Sequence, residues 1–490
     1  MYANPADLTD TIAAISTPPG MGAIAVLRLA GPKAVEIAGH FFRGKADLAD
    51  AKSHSAHFGG LFFRETKSGH EAQLDEVVAT VFKKPHSYTG DDIVEISCHG
   101  SVFIQQKLLE LFFERGARPA RPGEFTMRAF LNGKMDLSQA EAVGDLIAAE
   151  NAAAAAVALR QMRGGFSSEI KKLRDELVHF ASLIELELDF AEEDVEFANR
   201  LTLNALVEKI RAEIARLVAS FQLGNALKTG VTTVIAGRPN AGKSTLLNAF
   251  LNEDRAIVSE IPGTTRDSIE EVLNIGGVPF RLIDTAGIRD ATDAIERIGV
   301  QKTMEKIGQA AILVYLFDVV ETRLAQVFED LGKLARPDLQ LLVVCNKMDL
   351  LPQFRPEWLA APFSAQIPEF LRGDFSKIEK TVPLEPSQIV ALSAKNAMNV
   401  PFLAEKLLET VAGGSVNLEN TVVTNARHVA ALQKADAALV DVLGGLASGI
   451  TTDFVAMDIR RALAFLGEIT GEIGVEDLLQ NIFSKFCIGK

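Results

Sequence analysis

The sequence predicts an α/β protein combined with an all-α part. Residues 229–410 alternate strand-like and helix-like segments, which is typical of a mostly parallel sheet covered on both faces. Residues 131–228 and 411–490 instead show helical periodicity, and residues 1–130 mix both patterns. We therefore expect an α+β N-terminal domain, a discontinuous helical domain, and an α/β domain inserted between the two helical segments.

The length and the composition limit the class of protein. A chain of 490 residues with 48% hydrophobic residues fits a globular protein of about three domains. The net charge of −14 argues against a nonspecific nucleic-acid binder. We find no signal-peptide pattern and no apolar run of about 18 residues, so we expect a cytoplasmic protein without a membrane partner. Cys98, Cys345 and Cys487 form no C-x-x-C pair and indicate neither a zinc site nor a disulfide framework.

The N-terminal part reads as mixed α/β. Strand-like runs at 24–29, 77–82 and 93–97 are followed by a helix-like run at 101–115. Basic side chains cluster near its end, namely Arg115, Arg118, Arg121, Arg128 and Lys134. They indicate either a local basic surface or an ordinary solvated face, and the sequence does not decide between the two.

Residues 131–228 read as successive helices. Ser138 and Glu141 have the spacing of a capping box, which predicts a helix start at this point. Further helical runs cover 152–159, 167–190 and 204–223. Burying the apolar face of 411–490 against these helices would leave the sheet domain inserted between the two segments.

Residues 237–245 read G-R-P-N-A-G-K-S-T and follow a β-branched run at 231–236. They precede an amphipathic run at 246–251, so a strand, a glycine-rich loop and a helix follow one another, as a G-x-x-x-x-G-K-[ST] phosphate loop requires. Glycines let backbone N–H groups surround phosphate oxygens at the positive end of the helix. We expect Lys243 to bridge the β- and γ-phosphates and Ser244 to hold Mg²⁺.

Two motifs after this loop concern the γ-phosphate. Thr264 and Thr265 lie about twenty residues further on, where a threonine meets Mg²⁺ and the γ-phosphate as a switch element. The apolar run 280–283 then ends in Asp284-Thr285-Ala286-Gly287. Its aspartate can hold the water shell of the metal, and its glycine N–H can sense the γ-phosphate.

Two later motifs concern the base. Asp349, in Asn346-Lys347-Met348-Asp349, offers two acceptor oxygens to the N1–H and N2–H₂ donors of guanine, a pair that adenine lacks. The backbone of Ser393-Ala394-Lys395 can meet guanine O6. All four motifs in this order, each after a strand-like run, predict a Ras-like GTP-binding domain.

Hydrolysis requires groups that differ from those of Ras. Ile288 follows Gly287, at the position where a Ras-like enzyme carries a glutamine that orients the attacking water. Asn240 can offer its side-chain oxygen to a monovalent cation that neutralises charge beside the phosphates. The remaining ligands of that cation are expected to be oxygens of Ser259, Ile261 and Thr264. Glu296 is the acidic candidate for orienting water, although an exposed carboxylate at a helix start fits its position equally well.

Several longer sequence motifs occur together in this chain. G-R-P-N-A-G-K-S, P-G-T-T-R-D, D-T-A-G-I-R and E-R-I-G stand in the GTP-binding part. R-P-G-E-F at 121–125, A-F-L-N-G-K-M-D-L at 129–137 and F-C-I-G-K at 486–490 stand outside it. Over residues 11–490 the chain resembles the MnmE (also TrmE) family of tRNA modification GTPases, and the tail distinguishes this family from other small GTPases.

The resemblance implies a folate-binding N-terminal domain that forms a homodimer, and potassium-stimulated GTP hydrolysis coupled to dimerisation of the G domains. With the FAD-dependent partner MnmG, in a heterotetramer, the family forms a 5-carboxymethylaminomethyl or aminomethyl group on the wobble uridine of certain tRNAs. The implied cofactors are K⁺, Mg²⁺ and 5-formyl-tetrahydrofolate or methylene-tetrahydrofolate, which supplies the one-carbon unit.

Matched position by position, the motifs assign roles to residues of this chain. Folate contacts fall on Arg28, Glu95, Lys134 and Lys490. Potassium falls on Asn240, Ser259, Ile261 and Thr264, and magnesium on Ser244 and Thr265. The predicted GTP contacts are Asn240, Ala241, Gly242, Lys243, Ser244, Thr245, Ser259, Glu260, Ile261, Pro262, Gly263, Thr264, Thr265, Asp284, Thr285, Ala286, Gly287, Asn346, Lys347, Asp349, Ser393, Ala394 and Lys395. Glu296 takes the water-orienting role, Arg289 lies in the mobile switch, and Cys487 is implicated in the modification chemistry.

Some features of the sequence allow more than one interpretation of the function. Met21 stands where the family commonly has arginine, so a basic contact of the N-terminal loop with folate or RNA is missing. Cys487 fits a role in the chemistry and fits equally a small buried apolar residue. The acidic balance implies that tRNA is held by local patches or chiefly by the partner. The rival functions are a GTP-switched binding module for ribosome or RNA assembly, and a folate-dependent one-carbon transferase with a regulatory GTPase.

Overall fold

The computed structural model describes residues 9–64, 70–189, 200–251, 257–258, 270–284, 310–336, 339–361, 366–378, 382–412, 421–448, 451–472, 479, 482–484 and 486–489. The chain divides into two compact units. The first unit consists of Met1–Ala148, Ala158–Ile214 and Ala430–Lys490, and the second of Ala149–Val157 and Ala215–Val429.

Both units contain strands and helices. The strands are β1 (Ile12–Ile15), β2 (Ile24–Ala30), β3 (Phe42–Gly44), β4 (Ser55–Arg64), β5 (Glu71–Phe82), β6 (Ile93–His99), β7 (Arg118–Pro119), β8 (Val231–Ala236), β9 (Ile257–Val258), β10 (Glu270–Ile275), β11 (Val278–Asp284), β12 (Ile312–Asp318), β13 (Gln340–Asn346) and β14 (Ile389–Ala391). The helices are α1 (Ala34–Phe41), α2 (Val102–Glu114), α3 (Glu124–Leu131), α4 (Leu137–Ile147), α5 (Ala152–Met162), α6 (Gly165–Asp189), α7 (Arg200–Ala219), α8 (Phe221–Thr229), α9 (Lys243–Leu251), α10 (Leu324–Leu334), α11 (Glu357–Ala360), α12 (Glu369–Arg372), α13 (Val400–Ala412), α14 (Ala426–Ser448) and α15 (Thr452–Thr470).

The described part of the first unit contains a seven-stranded sheet in the order β3-β4-β5-β6-β2-β1-β7. Neighbouring strands are antiparallel, except that β1 and β7 are parallel. The three strand-like runs and the helix predicted in this part are confirmed as β2, β5, β6 and α2. Side chains alternate along β2, so Leu27 and Leu29 join the core that α1 and α2 cover, while Arg28 lies on the other face.

Helix α4 begins earlier than its sequence signal indicated. The capping box predicted at Ser138 is wrong by two residues, because Asp136 is the N-cap. Asp136 Oδ1 accepts a hydrogen bond from Gln139 N at 2.9 Å, and Gln139 Oε1 accepts one from Asp136 N at 2.9 Å. Aspartate caps a helix as well as serine does, and Ser138 Oγ donates to Asp136 Oδ1 instead.

The C-terminal helices pack against earlier helices of the first unit. Helix α15 lies along α6, and Arg460 of α15 forms an ion pair with Glu185 of α6 at 2.5 Å. Arg211 of α7 pairs with Asp436 of α14 at 2.8 Å. The expectation of a discontinuous helical domain is confirmed. The helix predicted over 204–223 is interrupted at Ser220, where α7 ends and α8 begins.

The described part of the second unit contains a seven-stranded sheet in the order β14-β13-β12-β8-β11-β10-β9. The five strands from β14 to β11 are parallel, and β10 and β9 are antiparallel. Every residue of β12 is buried, with Val314 in the core on one face and Tyr315 in the core on the other. The predicted mostly parallel sheet with two covered faces is therefore confirmed. Among the described residues, no helix combines the length and the apolar character needed to cross a membrane.

Candidate functional site

The phosphate loop lies between strand β8 and helix α9. Two of its glycines occupy positions where a side chain would collide with neighbouring atoms. A Cβ on Gly237 would lie 2.0 Å from Leu316 O, and one on Gly242, whose φ is +100°, would lie 2.3 Å from Asn346 Nδ2. These positions require glycine for steric reasons, and they let the loop backbone approach a phosphate closely.

Lys243, the first residue of α9, spans the loop. Its Nζ donates to Gly237 O at 2.7 Å and to Arg238 O at 3.1 Å. Ser244 follows in the first turn of the same helix and is half-buried. An ammonium and a hydroxyl at this position are the groups that meet phosphate oxygens and Mg²⁺ in phosphate-loop proteins, so both residues suit the roles predicted for them.

Asn240 is exposed on the loop and has a φ of +61°. Asparagine tolerates this left-handed conformation better than most residues. An exposed amide oxygen beside a phosphate site suits a ligand of a monovalent cation. The other three ligands predicted for that cation, Ser259, Ile261 and Thr264, lie outside the described residues.

Asn346 joins two loops of the predicted nucleotide site. It is 2% exposed. Its Nδ2 donates to Ala241 O at 2.7 Å, and its Oδ1 accepts a hydrogen bond from Ala394 N at 3.0 Å. A single buried amide therefore fixes the phosphate loop and the 393–395 loop to the end of β13, with both of its polar atoms satisfied.

The ion pair of Lys347 includes a residue that the sequence reading missed. Lys347 has a φ of +64°, and its Nζ lies 2.5 Å from Oδ2 of Asp318. Asp318 is buried at the end of β12, and its Oδ1 also accepts a hydrogen bond from Val320 N at 2.8 Å. One sequence signal for Asp318 exists, since an otherwise apolar strand of seven residues ends in this single charge.

The structure brings the predicted base-binding residues to one edge of the sheet. Strands β8, β13 and β14 run parallel, so the loops that follow them lie at their common carboxyl edge, where α/β sheets bind ligands. Asp349 and Lys395 are exposed at this edge, whereas Ser393 is buried and forms a β-bridge with Met398.

Many predicted site residues lie outside the described residues, namely Ser259, Glu260, Ile261, Pro262, Gly263, Thr264, Thr265, Thr285, Ala286, Gly287, Arg289, Glu296 and Lys490. Asp284 ends β11, but its side chain also lies outside the described part. The roles assigned to these residues remain predictions.

In the first unit, the structure brings Arg28 and Glu95 together. They are cross-strand partners on β2 and β6, and Arg28 Nε donates to Glu95 Oε1 at 2.8 Å. The guanidinium carbon of Arg28 lies 5.7 Å from the ring centre of Tyr88 and 5.5 Å from that of Phe125. A partly buried arginine–carboxylate pair beside two aromatic rings can hydrogen-bond a planar heterocycle and stack on it.

The C-terminal tail reaches this pair. Gly489 O accepts hydrogen bonds from Ser16 Oγ at 3.2 Å and from Arg28 Nη1 at 3.5 Å. Gly489 has a φ of +99°, and a Cβ there would lie 2.3 Å from Ile15 O. The tail therefore needs glycine at this position. The predicted folate residue Lys490 follows in the sequence and lies outside the described residues.

Lys134, the remaining predicted folate contact, and Cys487 of the tail have separate surroundings. Lys134 Nζ donates to Pro85 O at 2.7 Å. Cys487 is exposed, so its interpretation as a buried apolar residue is wrong. The buried cysteines are Cys98 and Cys345, and burial raises the pKa of the Cys98 thiol to about 11.

Two of the clustered basic residues are neutralised inside the first unit. Arg118 and Arg128 lie 2.5 Å and 3.0 Å from Glu124 Oε1, and both also pair with Asp10. Glu124 and Arg128 are almost completely buried. Burial alone would raise the pKa of Glu124, but hydrogen bonds from Arg118, from Arg121 N and from Arg128 outweigh burial and lower it. The charges of Arg118 and Arg128 therefore stabilise the fold and do not form a basic surface.

Two family models match the chain. The one described as MnmE helical domain matches residues 137–487, and the one described as GTP-binding protein TrmE N-terminus matches residues 11–134. A protein of Cytophaga hutchinsonii named tRNA modification GTPase MnmE is 50% identical over 482 residues, which cover 98% of each chain. A protein of the same name from Christiangramia forsetii is 51% identical over 493 residues, which cover 99% of this chain and 100% of the relative.

The chain also resembles solved structures over part of its length. Aquifex aeolicus Era bound to GDP.AlF4- is 23% identical, covers 42% of this chain and 66% of its own, and has a TM-score of 0.26, which is too low to support an argument. The family models and the full-length relatives, in contrast, confirm the resemblance drawn from the motifs. The chain therefore belongs to the MnmE family of tRNA modification GTPases.

Proposed function

We propose that this chain is a potassium-activated GTPase that acts in tRNA modification. It works with the FAD-dependent partner MnmG, in a heterotetramer, to form a 5-carboxymethylaminomethyl or aminomethyl group on the wobble uridine of certain tRNAs. The name of its relatives, tRNA modification GTPase, supports the class of reaction. The observation that carries the GTPase is the buried amide of Asn346, which holds the phosphate loop and the base-binding loop together.

The roles within the nucleotide site follow from the chemistry of each side chain. Asp349 takes the N1–H and N2–H₂ donors of guanine, and adenine would leave its oxygens without those donors. Lys243 moves to the β- and γ-phosphates of bound GTP. Ser244 and Thr265 would hold Mg²⁺, and Asn240 with the loop oxygens at 259, 261 and 264 would hold K⁺. The two ions, when bound, supply positive charge where the transition state becomes negative.

The remaining requirement for hydrolysis is a group that orients the attacking water. An aliphatic residue, Ile288, stands where Ras carries glutamine, so another group must orient the attacking water. Glu296 has a carboxylate that can accept a proton of that water, and Arg289 is assigned to the switch that brings it into position. Both residues lie outside the described part of the chain.

The potassium dependence gives a direct prediction. GTP turnover by the full chain is expected to be about tenfold faster in KCl than in NaCl of equal concentration. In this proposal K⁺ fits the site at Asn240 and stabilises the negative charge on the γ-phosphate, whereas the smaller Na⁺ fits that site less well. Asn240→Ala is expected to remove most of this difference. Asn248→Ala, at an exposed position of α9, serves as the control and is expected to retain it. Equal wild-type rates in the two salts would rule out the role of the cation.

The folate half of the proposal concerns the first unit. Arg28 and Glu95 offer donors and acceptors to the pterin of 5-formyl-tetrahydrofolate or methylene-tetrahydrofolate, and the partly exposed ring of Tyr88 offers a flat face. Lys134 and Lys490 complete the proposed contacts, and Cys487 presents an exposed thiol for the modification chemistry. The N-terminal domain, 1–130, also forms the homodimer in this proposal.

Loss of the Arg28 charge gives the second prediction. Arg28→Gln is expected to weaken binding of 5-formyl-tetrahydrofolate to the full chain about tenfold or more, because hydrogen bonds from a charged group contribute about 1.5–3 kcal/mol. Calorimetric titration measures this, with Arg43→Gln as control, since Arg43 is half exposed and pairs with Glu71 at 3.4 Å. Unchanged affinity in Arg28→Gln would contradict the folate site.

The cellular role is tested by a mass-spectrometric census of tRNA nucleosides. A strain lacking this chain is expected to lose the modified wobble uridine, and the wild-type chain is expected to restore it. An unchanged nucleoside profile in the strain lacking the chain would favour the rival reading, a GTP-switched module for RNA assembly, whereas restoration by Arg28→Gln would contradict the role of the folate site. We further propose that residues 131–228 and 411–490 form the helical domain, that residues 229–410 hydrolyse GTP, and that the protein acts in the cytoplasm.

A further inference from the structure

Arg238, the second residue of the phosphate loop, is fixed by its side chain. Its Nε donates to Asp330 Oδ2 at 2.8 Å and its Nη2 donates to Asp330 Oδ1 at 3.1 Å. Two parallel hydrogen bonds of this kind fix the plane of a guanidinium as well as its position. Asp330 lies on α10, whose apolar side packs against the core of one sheet face through residues such as Val327 and Phe328. The loop is thus attached to a helix far from it in the sequence.

Tyr315 fixes Asp330 from the interior. It lies on β12 with 1% of its surface exposed, and its hydroxyl donates to Asp330 Oδ2 at 2.6 Å. Burial, and then the charge of Asp330, raise the pKa of Tyr315, so the hydroxyl stays protonated and remains a donor. The hydrogen bond with Asp330 likewise raises the pKa of Arg238. Tyr315, Asp330 and Arg238 form a continuous hydrogen-bonded chain from the core to the loop, which we call the brace.

The brace acts on the part of the loop that faces the phosphates. Lys243 Nζ contacts Gly237 O and Arg238 O, the two carbonyls on either side of the Arg238 Cα. Asn240 stands two residues further along. Fixing the side chain of Arg238 therefore restricts the turn that positions both the ammonium of Lys243 and the amide of Asn240. The side chains of Arg238 and Asp330 are 34% and 20% exposed, so the pair is partly shielded from water.

We propose that Asp330 is a positioning residue for GTP hydrolysis, which sets the conformation of the phosphate loop through Arg238. The inference rests on the GTPase part of the proposed function and is independent of the folate site. A misplacement of about 1 Å in a catalytic geometry can reduce a rate 100-fold, whereas ground-state binding through many backbone contacts tolerates it better. The brace is therefore expected to affect kcat more than the affinity for GDP.

The test compares two acidic neighbours on the same helix. Asp330→Asn keeps the shape of the side chain and removes the charge. We expect its kcat for GTP, measured on the full chain, to fall about tenfold, with the Kd for fluorescently labelled GDP within about threefold of wild type. Glu329→Gln is the matched control, because Glu329 is half exposed and pairs only with Lys333 on its own helix in the described part. We expect its kcat and its Kd to change less than about twofold.

Two further variants replace Arg238 and Tyr315, the other two residues of the brace. Arg238→Lys keeps the positive charge but cannot form the two parallel hydrogen bonds, so we expect a decrease in kcat between those of the control and Asp330→Asn. Tyr315→Phe removes one hydrogen bond and leaves Asp330 paired with Arg238, and we expect a decrease of about threefold. Both variants are conservative replacements, so they remain informative if Asp330→Asn does not fold.

Three outcomes would overturn the inference. The first is a kcat for Asp330→Asn equal to that of Glu329→Gln. The second is a parallel fall of kcat, GDP affinity and melting temperature, which a merely structural residue would produce. The third is an unchanged kcat in both Arg238→Lys and Tyr315→Phe. Failure of the potassium proposal is separate, because the brace is judged on the ratio of variant to wild-type rates in a single salt.

Discussion

Replacing Glu124 with alanine is expected to destabilise the first unit by about 3 kcal/mol or more, which is the range for removing one partner of a buried ion pair. The carboxylate is completely buried between Arg118 and Arg128. Without it, two arginines share the single carboxylate of Asp10, and Arg128 Nε already has no hydrogen-bond partner among the described residues. Amide hydrogen exchange of strands β1 and β2 in the full chain measures the effect, and we expect exchange about 100-fold faster.

The control for this prediction is Glu110→Ala. Glu110 is mostly exposed on α2 and pairs with Lys107 at 3.2 Å, so its loss is expected to cost less than about 0.5 kcal/mol. An effect of Glu124→Ala no larger than that of Glu110→Ala would contradict a stabilising role of the buried cluster. Such a result would mean that water or Asp10 compensates fully for the missing charge.

The effect of Glu124→Ala depends on pH with a definite sign. The pKa of Glu124 is lower in the folded chain than in the unfolded chain, and that of Asp10 is lowered in the same way by Arg118 and Arg128 against the opposing effect of burial. Their stabilisation is therefore fully present above the unfolded pKa values of about 4 and is lost as the pH falls through the folded values. The difference between wild type and Glu124→Ala is expected to narrow below about pH 4.

Replacing Asn346 with alanine is expected to weaken GDP binding about 100-fold or more. The substitution leaves two buried backbone groups, Ala241 O and Ala394 N, without their partner. Each unsatisfied group costs about 1–3 kcal/mol, and both belong to loops that contact the nucleotide in the proposed complex. Equilibrium titration with fluorescently labelled GDP measures the loss in affinity.

Asn396→Ala provides the comparison for Asn346→Ala. Asn396 is exposed in the adjacent loop, and its backbone N–H, which the substitution does not remove, donates to Ser393 Oγ at 3.4 Å. We expect its affinity for GDP to stay within about twofold of wild type. If Asn346→Ala bound GDP as well as Asn396→Ala does, the two loops would not need the buried amide to form the pocket.

The parallel sheet and its loops could be predicted because their signals are local in the sequence. Strands covered on both faces are runs of mostly apolar and β-branched residues, as at 231–236 and 341–345, and their motifs stand directly after them. The parallel order of β8, β13 and β14 then brings the motifs to one edge without further information. Arg28 and Glu95 came instead from the family resemblance, and the structure adds that they are cross-strand partners on β2 and β6.

Long-range side-chain pairs could not be predicted, because each depends on how distant elements pack. Arg238 and Asp330 are 92 residues apart, and Lys347 and Asp318 are 29 residues apart. Arg118 and Arg128 fit neither reading of the basic cluster for the same reason, since both pair with Asp10, which is 108 and 118 residues away in the sequence. Charge counts along a sequence do not reveal which charges are paired inside.

The position of Gly489 has a practical consequence for handling the protein. Its backbone lies against Ile15 and Ser16 at the end of β1, within reach of Arg28. In the proposed folate complex, a purification tag or fluorescent protein fused after Lys490 would add chain next to Gly489 and the Arg28–Glu95 pair, and we expect it to weaken folate binding. Measurements of folate affinity should therefore use protein that carries no C-terminal tag.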